Sequence, residues 1–258
     1  MTRAALLSLV LCLGYPCATH QARAAQLNYK LYVLGFPVAD AVLGIDLATR
    51  AYRASLGFRT TGLADLATNG RLQQSASGRF EGDWPAPLEF NSNGSLRGQQ
   101  RIVDLTWHDG NPIATTITPP NATEREDVPP ILRAHTIDPL SMIVQLVALA
   151  ARTGRCEGAA HGYDGRQLEL FEARTAGEED LPRSPRSSFS GHTLRCDFTD
   201  QTLAGFRFGS PPEEKLRMHQ GTIWLSQVLP GAPRLPVRAS IETRWLGDAM
   251  IYLTSVAP

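Results

Sequence analysis

"HTIDPLSMIVQLVALAARTGRC", residues 135–156, decides how the rest of this chain is read. Asp138 is a good helix N-cap, and Pro139 suits the first helical position, where its missing N–H costs nothing. Leu140, Ile143, Val144, Val147 and Ala151 then recur at the spacing of a buried helical face. Leu146, Leu149 and Ala150 widen that face and Gly154 ends it. The spacing predicts a helix over residues 138–152 that is apolar almost all round. Such a helix has to be covered on more than one side, and the sequence around it reads as β.

Upstream, Tyr29, Leu31 and Val33 alternate with Asn28, Lys30 and Tyr32. After a break at Gly35-Phe36-Pro37, the residues Ala39, Ala41, Leu43, Ile45 and Leu47 share one face, which predicts a hairpin with one buried side. Tyr52, Ala54, Leu56 and Phe58 repeat the alternation, and a short helical or turn segment stops at Asn69-Gly70. Strands are expected over residues 71–80, 88–91, 95–107 and 113–118, with turns at Asn93-Gly94 and Asp109-Gly110. Past the helix, a turn at residues 163–166 precedes "QLELFEA", "TLRCDFTDQ", "LRMHQGTIWLSQV", "LPVRASIETRWLG" and "DAMIYLTSV". Residues 119–133 and 177–188, rich in proline and charge, read as surface loops. The expected architecture is mainly β: a curved antiparallel sheet or open β-barrel of about ten to twelve strands, with one main helix on its concave side.

The first residues set the compartment. Arg3, an apolar run from Ala4 to Leu13 and the small residues of Ala22-Arg23-Ala24 follow the plan of a secretory signal over residues 1–24, too short for a stable membrane span. Cys12 and Cys17 follow Leu11 and Pro16, where lipid attachment needs a small residue, so a leader that is simply removed is expected. One β-rich domain, residues 25–258, would then be delivered to the periplasm. Lysine plus arginine and aspartate plus glutamate each number 25 in the whole chain, and the leader holds two of the cations. No basic footprint for nucleic acid is present. No later stretch approaches the about 20 apolar residues of a spanning helix. Cys156 and Cys196 are the remaining thiols, in an oxidising compartment, so they are expected to pair, a loop closure worth about 3–4 kcal/mol.

"LNYKLYVLGFPVADAVLGIDL" near the mature start, "IDPLS" opening the helix, "CEGAAHGYDGRQLELF", Cys196 and "LAGF" in this order resemble the bacterial family known as domain of unknown function 3108. The resemblance covers nearly all of the mature chain. It implies an exported envelope protein of a Gram-negative bacterium with a β-rich fold, and it brings no catalytic residues. The general plan is similar to periplasmic carriers of lipoproteins and other lipophilic molecules, an analogy of fold alone.

The candidate sites follow. His135, Asp138 and Ser141 lie close in sequence, but Asp138 is spent on the cap and no Gly-x-Ser-x-Gly elbow exists, so no catalytic residues are assigned and the protein is read as non-enzymatic. His108, His135, His161, His192 and His219 are scattered, so neither a metal nor a cofactor is expected. Asp164-Gly165 is read as the turn of a hairpin that Tyr163 and Arg166 flank as a cross-strand pair; presentation of the Arg166 fork to an anion is the alternative. Glu178-Glu179 and Glu213-Glu214 read as solvated acids. Trp107, Trp224, Trp245, Phe206 and Tyr252 could line a cavity or simply form core. The expected function is binding of a lipidic or other hydrophobic molecule between sheet and helix, lined by Leu140, Ile143, Val144 and Val147 with Trp107 and Trp224. The competing expectation is a scaffold with a fully packed core that recruits an envelope protein through an exposed sheet edge or loop.

Overall fold

The computed structural model describes residues 24–243 and 247–257. The expected leader through residue 23, with Cys12 and Cys17, and Trp245 lie outside them. β1 (Ala25–Val33), β2 (Phe36–Leu47), β3 (Ala51–Thr60), β4 (Arg71–Glu81), β5 (Trp84–Leu96), β6 (Gln99–His108) and β7 (Asn111–Thr118) form one antiparallel meander. A second runs through β8 (Gly158–Tyr163), β9 (Leu168–Leu181), β10 (Gly191–Ala204), β11 (Met218–Ser226), β12 (Leu235–Glu242) and β13 (Asp248–Ala257). β13 pairs with β1, which fuses the two into a single 13-stranded sheet ordered β7-β6-β5-β4-β3-β2-β1-β13-β12-β11-β10-β9-β8. The sheet does not close on itself, and its edges β7 and β8 are consecutive in the chain. α1 (Gly62–Thr68) lies between β3 and β4, α2 (Pro130–Arg133) and α3 (Pro139–Thr153) between β7 and β8, and α4 (Pro212–Lys215) between β10 and β11. None of the described helices is long and apolar enough to cross a membrane, a statement that does not extend to strands.

The open, mainly β plan agrees with the sequence pattern, but there are more strands than the ten to twelve expected, and some boundaries move. β8 has glycine at both Gly158 and Gly162 and no apolar alternation, so periodicity is silent there. β5 runs straight through Asn93-Gly94, where a turn was expected. A Cβ on Gly94 would sit 2.5 Å from the Arg71 carbonyl oxygen, so this glycine permits close approach of β4 and the chain turns later, at Arg97-Gly98. β9 extends to Leu181, through residues read as loop, because its acids are partnered. Glu178 and Asp180 meet His192 at 2.9 and 3.1 Å, and Glu179 accepts from the Trp224 indole at 3.0 Å. These acids are paired rather than merely solvated.

α3 forms as the sequence predicts. Asp138 is extended at φ −79° and accepts from the amides of Leu140 and Ser141, and Gly154 closes the helix in the left-handed region. The helix packs against β3, β4, β5 and β8, across the inner face of the sheet. Its end is tied down by the disulfide between Cys156 and Cys196, whose Cα atoms are 5.8 Å apart.

The gap between β7 and β8 is bridged by the chain leading into α3. The His135 amide donates to the Gly110 carbonyl (2.8 Å), the Ile137 amide to His161 (3.0 Å), and Tyr163 returns a bond to Ile137 (2.9 Å). Farther along the seam, Arg166 is buried and donates to the carbonyls of Thr118 (2.6 Å) and Pro119 (3.1 Å) and to Asn121 Oδ1 (3.2 Å). Main-chain acceptors that a closed barrel would pair strand to strand are thus satisfied by one guanidinium.

Candidate functional site

α3 touches three apolar clusters. Trp107, Leu140 and Val144 belong to the first, with Tyr52, Phe90, Leu105 and Tyr163. Val147 and Trp224 belong to the second, with Leu27, Leu43, Val237 and Leu253. Ile143 is half-buried and packs against both. Leu146 and Ala150 meet Leu194, Leu225 and the disulfide in the third. The six residues expected to line a cavity are therefore brought into two adjoining clusters, and Val144 and Val147 have no exposed surface at all. The hollow between Met142, Gln145, Leu146, Leu149 and Phe171 measures about 10 Å³, the size of a single water at most. This hollow lies on the side of α3 turned to β8 and β9, away from Leu140, Val144 and Val147, and a larger molecule enters it only if the helix moves.

The polar groups at the start of α3 form a closed set. Ser141 Oγ donates to Asp138, and Tyr52 Oη lies 2.6 Å from Ser141 Oγ. Burial pushes the Asp138 carboxyl up to about 6, although the bonds from Ser141 and Leu140 oppose the rise. Tyr52 is raised by its own burial and by the Asp138 charge. His135 does not join this set; its amide is held at the β6–β7 turn. The arrangement caps a helix and leaves no hydroxyl beside a free base. On β9, burial and the nearby Asp200 charge push Glu169 up to about 7, with Gln167 as its hydrogen-bond donor. Among the described residues no group of three or more His, Cys, Asp and Glu is placed to hold a metal ion.

Larger hollows lie elsewhere. One of about 230 Å³ opens beside the seam, between Pro85, Pro87, Leu88, Trp107 and His135, where the Trp107 indole donates to the Thr136 carbonyl at 2.8 Å. Two grooves of about 780 and 790 Å³ run along the outward residues of the sheet. The first is lined by charged and amide groups such as Arg174, Asp197, Gln220 and Glu242, the second by Gln26, Asp46, Arg53 and Ser75. Trp224 is itself engaged by charge: beyond its bond to Glu179, the Arg238 guanidinium stands 4.8 Å from its ring. The same guanidinium stands 5.3 Å from the Tyr252 ring, and Lys215 lies 5.1 Å from that of Phe206. Tyr163 pairs with Leu168, not with Arg166, and the Asp164 carboxylate accepts from the Arg166 and Gln167 amides. That tetrad clamps the seam, a role which neighbouring residues alone could not reveal, because the carbonyls that Arg166 serves lie more than forty positions earlier.

No curated protein matches the chain. Among solved structures it is similar to a β-barrel-like protein of domain of unknown function DUF1849 from Brucella abortus, with 11% sequence identity and a TM-score of 0.53 over 92% of this chain and 97% of that one. That likeness concerns the fold alone. The family model described as protein of unknown function (DUF3108) matches residues 28–254, and the chain belongs to that family.

Proposed function

We propose that this is an exported, non-catalytic protein of the cell envelope whose interior is structural and whose partners meet it from outside. The observation that carries the reading is that α3 is filled on both sides: Leu140, Val144 and Val147 are buried in the apolar clusters of the sheet, and on the opposite side of the helix the hollow by Met142 and Leu149 measures about 10 Å³. Among the described residues β7 is a sheet edge whose one strand partner is β6, and most of its residues are exposed, so the part before Thr118, whose carbonyl Arg166 holds, offers a place for a partner's strand to add. Native mass spectrometry of the protein purified from periplasm without detergent tests this. A bare polypeptide mass and no uptake of a fluorescent apolar probe are expected. A reproducible lipophilic adduct, lost when Val144 and Val147 are made charged in a protein that stays folded, would refute it.

A second reading, a small hydrophobic ligand, rests on the hollow of about 230 Å³ beside Trp107. The same spectra test it, since an adduct there would be lost on Leu88→Glu.

A further inference from the structure

The two ends of the sheet differ in what they expose. In an antiparallel meander alternate connections emerge at the same end, so the β1–β2 turn, α1 and the β5–β6 turn share one. Backbone bonds join them: the Thr61 amide donates to Val38 (2.9 Å) and the Arg97 amide to Thr68 (2.7 Å). Here Leu34 is 66% exposed, Phe36 72%, Leu63 84% and Leu66 86%. α1 has no buried residue, and its two leucines, three positions apart, sit on one face of the helix. Four exposed apolar side chains of this size on connections joined at one end call for an explanation that scattered ones do not. At the opposite end the β4–β5 and β6–β7 turns are Gly82-Asp83 and Asp109-Gly110, polar hairpin tips, with exposed apolar residues beside rather than on them: Trp84 and Ile113 on the strands, and Ile131 and Leu132 on α2, which leads to His135 at the second turn.

Backbone geometry adds an independent observation. Val33 pairs with Phe36, so Leu34-Gly35 is a two-residue hairpin loop, and both residues have positive φ, +50° and +84°. Asn, Asp or Gly normally takes the first of these positions, as Asp109 does in the β6–β7 turn, because a Cβ crowds the following carbonyl there. A leucine in this place is strained and exposed at once, and strain of this kind is retained where a side chain is needed. Arg97 holds the same strained position in the β5–β6 loop.

The charge around the tip identifies the occupant. Arg59 and Arg71 stand at the two ends of α1, bonded to Asp40 (2.9 Å) and Asp65 (2.6 Å). Arg186 donates to the Gly35 carbonyl at 3.2 Å, and Arg97 is exposed. Four arginines and two carboxylates thus stand beside the apolar connections, which leaves Arg97 and Arg186 as cations beyond the two ion pairs. A surface that complements this is negative above and apolar beneath, as a bilayer of acidic lipids is. We propose that this end of the sheet docks on an anionic lipid surface, with Leu34, Phe36, Leu63 and Leu66 entering the headgroup boundary and the arginines meeting lipid phosphates. The inference does not depend on what the sheet edge recruits.

Co-sedimentation of the exported protein with phosphatidylglycerol and phosphatidylcholine vesicles tests it. Binding to phosphatidylglycerol is expected, about tenfold or more weaker to phosphatidylcholine, and falling as salt is added. Leu63→Gln with Leu66→Gln should weaken it by about tenfold or more. Leu34→Asn should weaken it too while keeping or raising the melting temperature, which separates lost binding from lost folding. No binding to phosphatidylglycerol vesicles, or binding that these substitutions leave unchanged, would overturn the proposal. So would a dimer, seen by analytical ultracentrifugation, that the same substitutions dissolve, since a second copy would then cover the tip.

Discussion

α3 and α1 are built from similar residues and have opposite fates. α3 is fixed at both ends, by the Asp138 cap and by Gly154 with the following disulfide, and Leu140, Val144, Leu146 and Val147 are buried in the clusters it forms with the sheet. α1 has Thr61 at its N-cap with no side-chain bond, and both of its leucines face solvent. Burial of a leucine contributes about 1.5–3 kcal/mol, so α3 stabilises the domain and α1 does not. The difference teaches where to look for function: a helix that gives nothing to the core is the place to test the lipid contact proposed above.

The comparison breaks most easily at Leu140. Leu140→Ala, measured by denaturant unfolding, is expected to cost about 2–5 kcal/mol, because the site is enclosed and cannot collapse freely. If the loss were below about 1 kcal/mol, α3 would be a loosely seated cover. Asp138→Ala should cost somewhat less, about 2 kcal/mol, by orphaning the Leu140 and Ser141 amides in a buried setting.

Protonation sharpens the same contrast, since the raised acids lie within the enclosed part. Glu169 and Asp138 are held above their ordinary values of 4.5 and 3.8, up to about 7 and about 6. Between about pH 4 and 7 the folded protein therefore binds more protons than the unfolded chain. Their contribution is complete at the acid end and is lost as pH rises through the folded values. Denaturant midpoints should fall across this window, and Glu169→Gln should flatten the slope; a midpoint rising with pH would contradict the assignment. The smallest effect belongs to α1: Leu66→Ala should change stability by no more than about 0.5 kcal/mol.

Much of this was legible in the sequence and part of it was not, for physical reasons. α3 was readable because cap, apolar period and stop agree locally, and the Cys156–Cys196 pair because two thiols remained. β8 was not, since its glycines carry no period, and the Gly94 position was misread because a glycine that allows close strand approach looks the same in sequence as one that turns the chain. Of the candidate lining, the grouping of Leu140, Ile143 and Val144 follows from amphipathic spacing, while Trp107 joins them only through the packing of β6. The charged surroundings of Trp224 do not, because Glu179 and Arg238 reach it only through long-range strand register. The apolar tip was likewise hidden: Leu34, Leu63 and Leu66 look like core residues until the meander carries their connections to one end of the sheet.

Hydrogen exchange resolved to α3, read by mass spectrometry beside β1 and β2, tests the central claim most directly. If α3 belongs to the packed interior, its amides after the first turn should exchange only through global unfolding, as slowly as those of the central strands, while α1 exchanges fast. Exchange of α3 through a separate, lower-energy opening while β1 and β2 remain protected would contradict the account, and would make the helix a lid over a binding face.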